Sequence, residues 1–270
     1  MEKTLAKGLS VLEALVLRNE PCGVSDLAAA LGMSKSNAHR LLNTLLDTGF
    51  VNSIDGRYAP SLKVWELGAR VIRSYDVRAL ARPAMTRLVR ETAESVRLSV
   101  LDAKSLEVVY IDKIDSPQDV RPYSELGGRT PAYCTSSGKA MLAFQDEELI
   151  ARASRKLKAH TGRSIVDRSA FARAMKKIRA EGFAVNDREY SSQVRGVAAP
   201  IFGADGQVIA ALSLVAPADR MTPAVLKKVV GLVCEAAARV SAQTRPPISN
   251  VVRLPGSVSR PRRKPRKLSA

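Results

Sequence analysis

Apolar side chains recur at helical spacing at Leu5, Leu9, Leu12, Leu15 and Val16, which predicts an amphipathic helix that stops near Glu20-Pro21. A short helix follows at Val24-Ser25-Asp26-Leu27-Ala28-Ala29-Ala30-Leu31, with Ser25 as its expected N-cap and Gly32 closing it. Only Gly32 and Met33 then separate it from Ser34, which caps a third predicted helix running to about Thr48. Two helices joined by so short a glycine-containing turn form a helix-turn-helix. After Gly49 the period changes to two: Phe50-Val51-Asn52-Ser53-Ile54 and Arg57-Tyr58 flank Asp55-Gly56, a hairpin signal that predicts a two-stranded wing.

Further along, residues 64–74 and 79–94 read as helices. Val96, Leu98 and Val100 then alternate with Arg97, Ser99 and Leu101, and a second strand is predicted over residues 107–114. Helices are expected at residues 137–144, 147–156 and 170–181, and strands at 194–202 and 207–215. Thr222-Pro223, an N-cap followed by proline at the first helical position, opens a long last helix toward Gln243. Strands and helices mix without strict alternation, so the expected class is α+β: an N-terminal winged helix-turn-helix, then an antiparallel sheet with flanking helices.

The third helix is divided by chemistry. Ala38, Leu41, Leu42 and Leu45 form its apolar stripe, whereas Ser34, Lys35, Ser36, Asn37, His39, Arg40 and Asn43 crowd its N-terminal half with polar groups. A recognition helix places that half in the major groove, where Asn and Arg make paired hydrogen bonds to adenine and guanine edges. Arg57 on the wing is positioned to touch phosphate or the minor groove.

Charge refines this picture. The 270 residues carry 43 Lys plus Arg against 26 Asp plus Glu, a net +17. Residues 1–75 hold nine basic and seven acidic residues, whereas residues 236–270 hold nine basic and none acidic. One helix-turn-helix at net +2 grips DNA weakly, so a homodimer or homotetramer is expected to double the contacts. The stretch from Arg245 onward, rich in Pro, Ser and Arg, reads as a disordered basic tail, either a solubilising extension or a phosphate-binding arm. No apolar run approaches the roughly 18 to 20 residues that cross a bilayer, and the start lacks a signal-peptide pattern, so no membrane partner and a cytoplasmic location are expected. Three scattered cysteines and two histidines argue for no metal and no disulfide framework, and no cofactor is expected.

Gly127-Gly128-Arg129-Thr130-Pro131-Ala132-Tyr133-Cys134-Thr135-Ser136-Ser137-Gly138-Lys139-Ala140 carries the second candidate chemistry. Backbone N–H groups, hydroxyls and a helix start converge there, which suits a carboxylate. A phosphate-binding P-loop fails, because Tyr133 and Ala140 occupy positions that need Gly and Ser or Thr. Ser136 and Lys139 match the spacing of a Ser-x-x-Lys hydrolase, but no Ser-Asp-Asn or Lys-Thr-Gly partner exists. A structural helix cap is the third reading. Cys134 reads as a small buried side chain, since no histidine is placed to activate it.

The run from Lys7-Gly8-Leu9 through Leu27-Ala28, His39-Arg40-Leu41-Leu42, Leu45, Gly49-Phe50-Val51, Tyr58 and Leu67-Gly68 resembles the winged helix-turn-helix of the IclR family of bacterial transcriptional regulators. The resemblance continues through the Gly-rich loop, Gly182-Phe183-Ala184-Val185-Asn186-Asp187 and Val194-Arg195-Gly196-Val197, and covers about residues 4–240. It implies a GAF-like effector domain that binds a small organic or aromatic acid. The effector contacts it implies are Ser136 and Ser137 as donors, Asn186 or Asp187 as a polar contact, Val194 and Gly196 as wall, and Ser213 as a further hydroxyl. The expected domains are a winged helix-turn-helix over 4–62, a linker helix region over 63–78, an effector domain over 79–243 and the basic tail over 244–270. A ligand-responsive regulator that reads a double-stranded operator, and is not an enzyme, is thus the leading expectation. A Ser136/Lys139 hydrolase and a basic architectural DNA-binding protein are the alternatives.

Overall fold

The computed structural model describes residues 2–18, 20–73 and 77–244. The predicted basic tail from Arg245 and residues 74–76 of the linker region lie outside them. The chain divides into two compact units, Met1–Asp76 and Val77–Ala270.

In the first unit, α1 (Lys3–Val16), α2 (Val24–Ala30) and α3 (Lys35–Asp47) enclose a core of Val11, Leu15, Leu27, Leu41, Leu42, Val51 and Tyr58. The α2–α3 turn is tight because Gly32 takes φ +60°, a conformation costly for any residue with a Cβ. Ser34 caps α3, its hydroxyl accepting from Asn37 N–H at 3.3 Å. Strands β2 (Val51–Ile54) and β3 (Arg57–Pro60) form the wing, with Asp55 and Gly56 both at positive φ as the tight hairpin turn demands. α4 (Leu62–Arg73) follows the wing.

Two expectations need correction here. The wing has a third strand, β1 (Cys22–Gly23), paired antiparallel with Tyr58 and Arg57. Consequently α2 starts at Val24 behind Gly23, which makes no side-chain cap, and Ser25 lies within the helix rather than before it. A two-residue strand is too short to show any period in the sequence.

The second unit is built on one six-stranded antiparallel sheet: β4 (Ser95–Asp102), β5 (Glu107–Ile114), β6 (Arg129–Pro131), β7 (Ala184–Asp187), β8 (Val194–Phe202) and β9 (Val208–Pro217). Their spatial order is β6-β5-β4-β9-β8-β7. Alternate residues point to opposite faces, so each strand serves two layers. Val96, Leu98, Val197, Ala199, Ile201, Leu212 and Leu214 pack against α5 (Val77–Thr92) and α9 (Pro223–Gln243). Val108, Ala184, Ala198 and Ala211 face α6 (Ser136–Leu142) and α8 (Arg168–Glu181), which α7 (Glu147–Ser154) adjoins.

The alanines on that second face let α6 lie close. The approach is closest at Gly138, where a Cβ would stand 2.2 Å from the Ala132 carbonyl oxygen. β6 and β7 were not predicted: they are edge strands of three and four residues whose mixed polarity carries no clear alternation.

Candidate functional site

Two surfaces bring together the residues singled out by sequence. On α3, Ala38, Leu41 and Leu42 are buried, while Lys35, Ser36, His39, Arg40 and Asn43 are exposed along one side and Asn37 is half-buried. The exposed groups order one another at helical spacing. Arg40 Nη2 donates to Asn37 Oδ1 at 3.3 Å, and Asn43 Nδ2 lies 3.5 Å from His39 Nδ1. Arg57 is exposed on the wing and also makes a contact within the unit. Its Nε and Nη2 donate to the Pro21 carbonyl at 3.1 and 2.6 Å, because the pairing of Gly23 with Arg57 leaves that carbonyl just beyond the strand. The guanidinium therefore ties β1 to the wing.

In the second unit, the face that packs α6 changes character along its length. Where the apolar residues end, the same strand positions carry polar groups: Arg97 on β4, Tyr110 on β5, Thr130 on β6, Asn186 on β7 and Ser213 on β9. With Val194 of β8 and Ser136 and Ser137 of α6 they line a cavity of about 390 Å³. Every strand of the sheet thus contributes to it. Asn186 is buried and its Oδ1 accepts Glu189 N–H at 2.8 Å; Ser213 Oγ donates to the Arg97 carbonyl at 3.4 Å.

Five of the seven residues implied for the effector site therefore meet, and two do not line the cavity. Asp187 follows Asn186 on β7, so its side chain points to the other face. There its carboxylate accepts from Arg163, Arg188 and Arg195. Gly196 faces the right way but is covered: a Cβ on it would stand 3.0 Å from Ser136 Oγ and 2.9 Å from Val215 Cγ1. Its bareness lets α6 seat on β8.

Sequence reasoning missed Arg97, Tyr110, Ser124 and Tyr190, which also line the cavity. Arg97 is 7% exposed. Its Nη2 donates to the Pro122 and Tyr123 carbonyls at 3.0 and 3.3 Å, and its guanidinium stands 5.3 Å from the Tyr110 ring centroid. Burial pushes its pKa down. Among the described residues, no carboxylate lies within ion-pair distance of it, Asp115 acting only from farther away, and its Nε is left without a hydrogen-bond partner, as is the Ser124 hydroxyl. An arginine in mid-strand between Val96 and Leu98 was the available signal.

The Gly-rich loop does less than its composition suggested. Thr135 Oγ1 accepts Gly138 N–H at 3.3 Å and so caps α6. Lys139 is buried, donating to the Val185 carbonyl at 2.7 Å and to Glu189 in an ion pair, so its Nζ is not free to serve Ser136 as a base. Burial pushes the Cys134 thiol up to about 12. Among the described residues no cluster of three or more His, Cys, Asp or Glu is placed to hold a metal ion, and no helix is long and apolar enough to cross a membrane.

Comparison with known proteins agrees with this architecture. Residues 4–54 match the IclR helix-turn-helix domain, and residues 69–242 match the bacterial transcriptional regulator IclR C-terminal domain. The chain is 34% identical over 244 residues to the HTH-type transcriptional regulator KdgR of Escherichia coli (strain K12), covering 89% of this chain and 92% of that protein. The crystal structure of the Thermotoga maritima IclR superposes with a TM-score of 0.73 at 31% identity, over 90% of this chain and 98% of that one. An IclR homolog from Microbacterium hydrocarbonoxydans, complexed with 4-hydroxybenzoate, gives a TM-score of 0.78 at 26% identity, over 89% and 98% of the two chains.

Proposed function

Because the chain belongs to the IclR family of bacterial transcriptional regulators, with a helix-turn-helix DNA-binding domain and a C-terminal effector domain, we propose that it controls transcription in response to a small organic acid. Its named relatives are transcriptional regulators, not enzymes. The observation that carries the acid reading is the cavity on the α6 face, where polar side chains from five of the six strands meet around a buried arginine. A similar fold with 4-hydroxybenzoate bound supports the same ligand class.

The DNA contacts fall to Ser34, Lys35, Ser36, Asn37, His39, Arg40 and Asn43 of the α3 start, whose exposed side suits base edges and phosphates. A homo-oligomer is favoured by two stripes of exposed apolar side chains in the first unit, Leu5 and Leu9 on α1 and Leu62 and Trp65 on α4. Two copies read a two-fold symmetric operator, and the acid shifts the population of DNA-competent arrangements by its differential affinity for them.

Mobility shift of the full chain on DNA upstream of its own gene, with and without a panel of small carboxylates, tests the proposal. Tighter binding to that DNA than to random duplex at moderate salt, altered by one of the acids, is the expected result. Equal affinity for both duplexes overturns sequence-specific regulation, and no response to any acid overturns the ligand class.

A further inference from the structure

We propose that the effector's carboxylate is held by Arg97 and Ser124, at the β4 side of the cavity, and that the ligand carries a single negative charge. This rests on reading the cavity as the effector site.

Among the described residues, four buried side-chain atoms lack a hydrogen-bond partner: Arg97 Nε, Ser99 Oγ, Ser124 Oγ and Glu189 Oε2. Arg97 and Ser124 both line the cavity. The Arg97 guanidinium holds the carbonyls of Pro122 and Tyr123, and Ser124 is the next residue in the chain. A buried N–H on a charged group and a buried hydroxyl are each costly to leave unmade. One carboxylate accepting from both satisfies the two together, and the bond to the guanidinium is charge-assisted.

Charge pairing sets the ligand's valence. Lys139 is neutralised by Glu189, and Arg129, which also lines the cavity, by Asp102 and Glu107. Among the described residues Arg97 has the Tyr110 ring and backbone carbonyls as partners but no carboxylate within ion-pair distance, the Asp115 charge acting on it only from farther away. One buried positive charge in the wall is thus without a contact ion among the described residues, and the lining adds the carboxylate of Glu125 but no second unpaired cation for a further negative charge on the ligand. The α6 hydroxyls are poorer candidates for the carboxylate, since Ser136 Oγ sits against Gly196 and the helix's cap is already occupied by Thr135.

The test uses the full chain and paired probes that differ in charge: 4-hydroxybenzoate with 4-hydroxybenzamide, lactate with lactamide, and the dianion terephthalate. Thermal shift identifies which acids bind, and calorimetry gives their affinities in wild type and in Arg97→Gln, Ser124→Ala and, as a control outside the cavity, Arg173→Gln on the exposed side of α8. An acid that stabilises the wild type while its amide does not is expected to lose about tenfold or more in affinity in Arg97→Gln, and a smaller but measurable amount in Ser124→Ala. Arg173→Gln, which removes an exposed charge of the same kind, retains the wild-type affinity, and terephthalate binds worse than 4-hydroxybenzoate.

If an acid binds Arg97→Gln as tightly as wild type, the Arg97 site is overturned while the acid reading stands. If only amides bind, or no probe binds, the acid reading and this site fall together. Should Arg97→Gln not fold, the side-chain Nε–H NMR resonance of Arg97 in the wild type decides: a large shift on adding the acid supports the contact, and an unmoved resonance rules it out.

Discussion

Lys139 and Glu189 form an ion pair with side chains only 4% and 8% exposed, joined further by the bond from Lys139 to the Val185 carbonyl. It pins α6 to the β7 end of the sheet. Burial pushes the Glu189 carboxyl up while Lys139 pulls it down, and one carboxylate oxygen has no partner. Removing one member leaves an uncompensated buried charge, so Lys139→Met should cost about 3–5 kcal/mol in urea unfolding. The double variant Lys139→Met with Glu189→Leu should return close to wild type. An acylating probe should leave Ser136 unlabelled in the folded protein.

Gly138 meets backbone rather than a movable side chain, so Gly138→Ala should cost about 3 kcal/mol and weaken any ligand-induced thermal shift. Gly231 on α9 is the control. A Cβ there meets nothing within 4 Å, and Gly231→Ala should raise stability by up to about 1 kcal/mol through helix propensity.

Arg40 and Arg57 should separate on DNA. Arg40→Ala is expected to weaken operator binding by about 1–3 kcal/mol with little change on random duplex, measured by mobility shift. Arg57→Ala removes the bonds to Pro21. It should lower the thermal stability of the wing and weaken both duplexes together, leaving their ratio unchanged.

The Arg129 guanidinium, helped by the Ser105 hydroxyl, holds the Asp102 carboxyl well below the usual carboxylate range. The folded pKa lies below the unfolded one, so this pair stabilises the fold above the unfolded value and ceases to do so as the pH falls through the folded one. Both groups are partly exposed, so the effect should stay below about 1 kcal/mol. Unfolding free energies measured from about pH 5 down to pH 2 should fall less steeply in Asp102→Asn than in wild type.

Cys134 is buried, and its thiol is pushed up to about 12 by burial first and the Glu189 charge second. Thiolate is the reactive form, so alkylation of Cys134 near neutral pH should be negligible until denaturant unfolds the chain. Mass spectrometry of the alkylated peptides checks this.

Much of the scaffold was legible in sequence because it is written in local terms. The strand over residues 107–114 and that over 194–202 appear at the predicted residues, and Thr222 caps α9 as expected. Caps, tight turns and periodicity depend on neighbours a few residues away. The short strands β1, β6 and β7 carry no such signal, because they exist only through pairing with distant partners.

The sequence by itself determined the order of the helices and longer strands, the polar start of α3, and the segments that carry Ser136, Ser137, Asn186, Val194 and Ser213. Only the tertiary structure decided which side chains share the cavity. The parity of β7 sends Asn186 inward and Asp187 outward, and the seat of α6 covers Gly196. Strand pairing turns Arg97, ordinary among 43 basic residues, into a buried cation whose Nε has no hydrogen-bond partner among the described residues. The reason is physical: a local period tells which residues share a face, but burial and missing partners depend on what folds over that face from elsewhere in the chain.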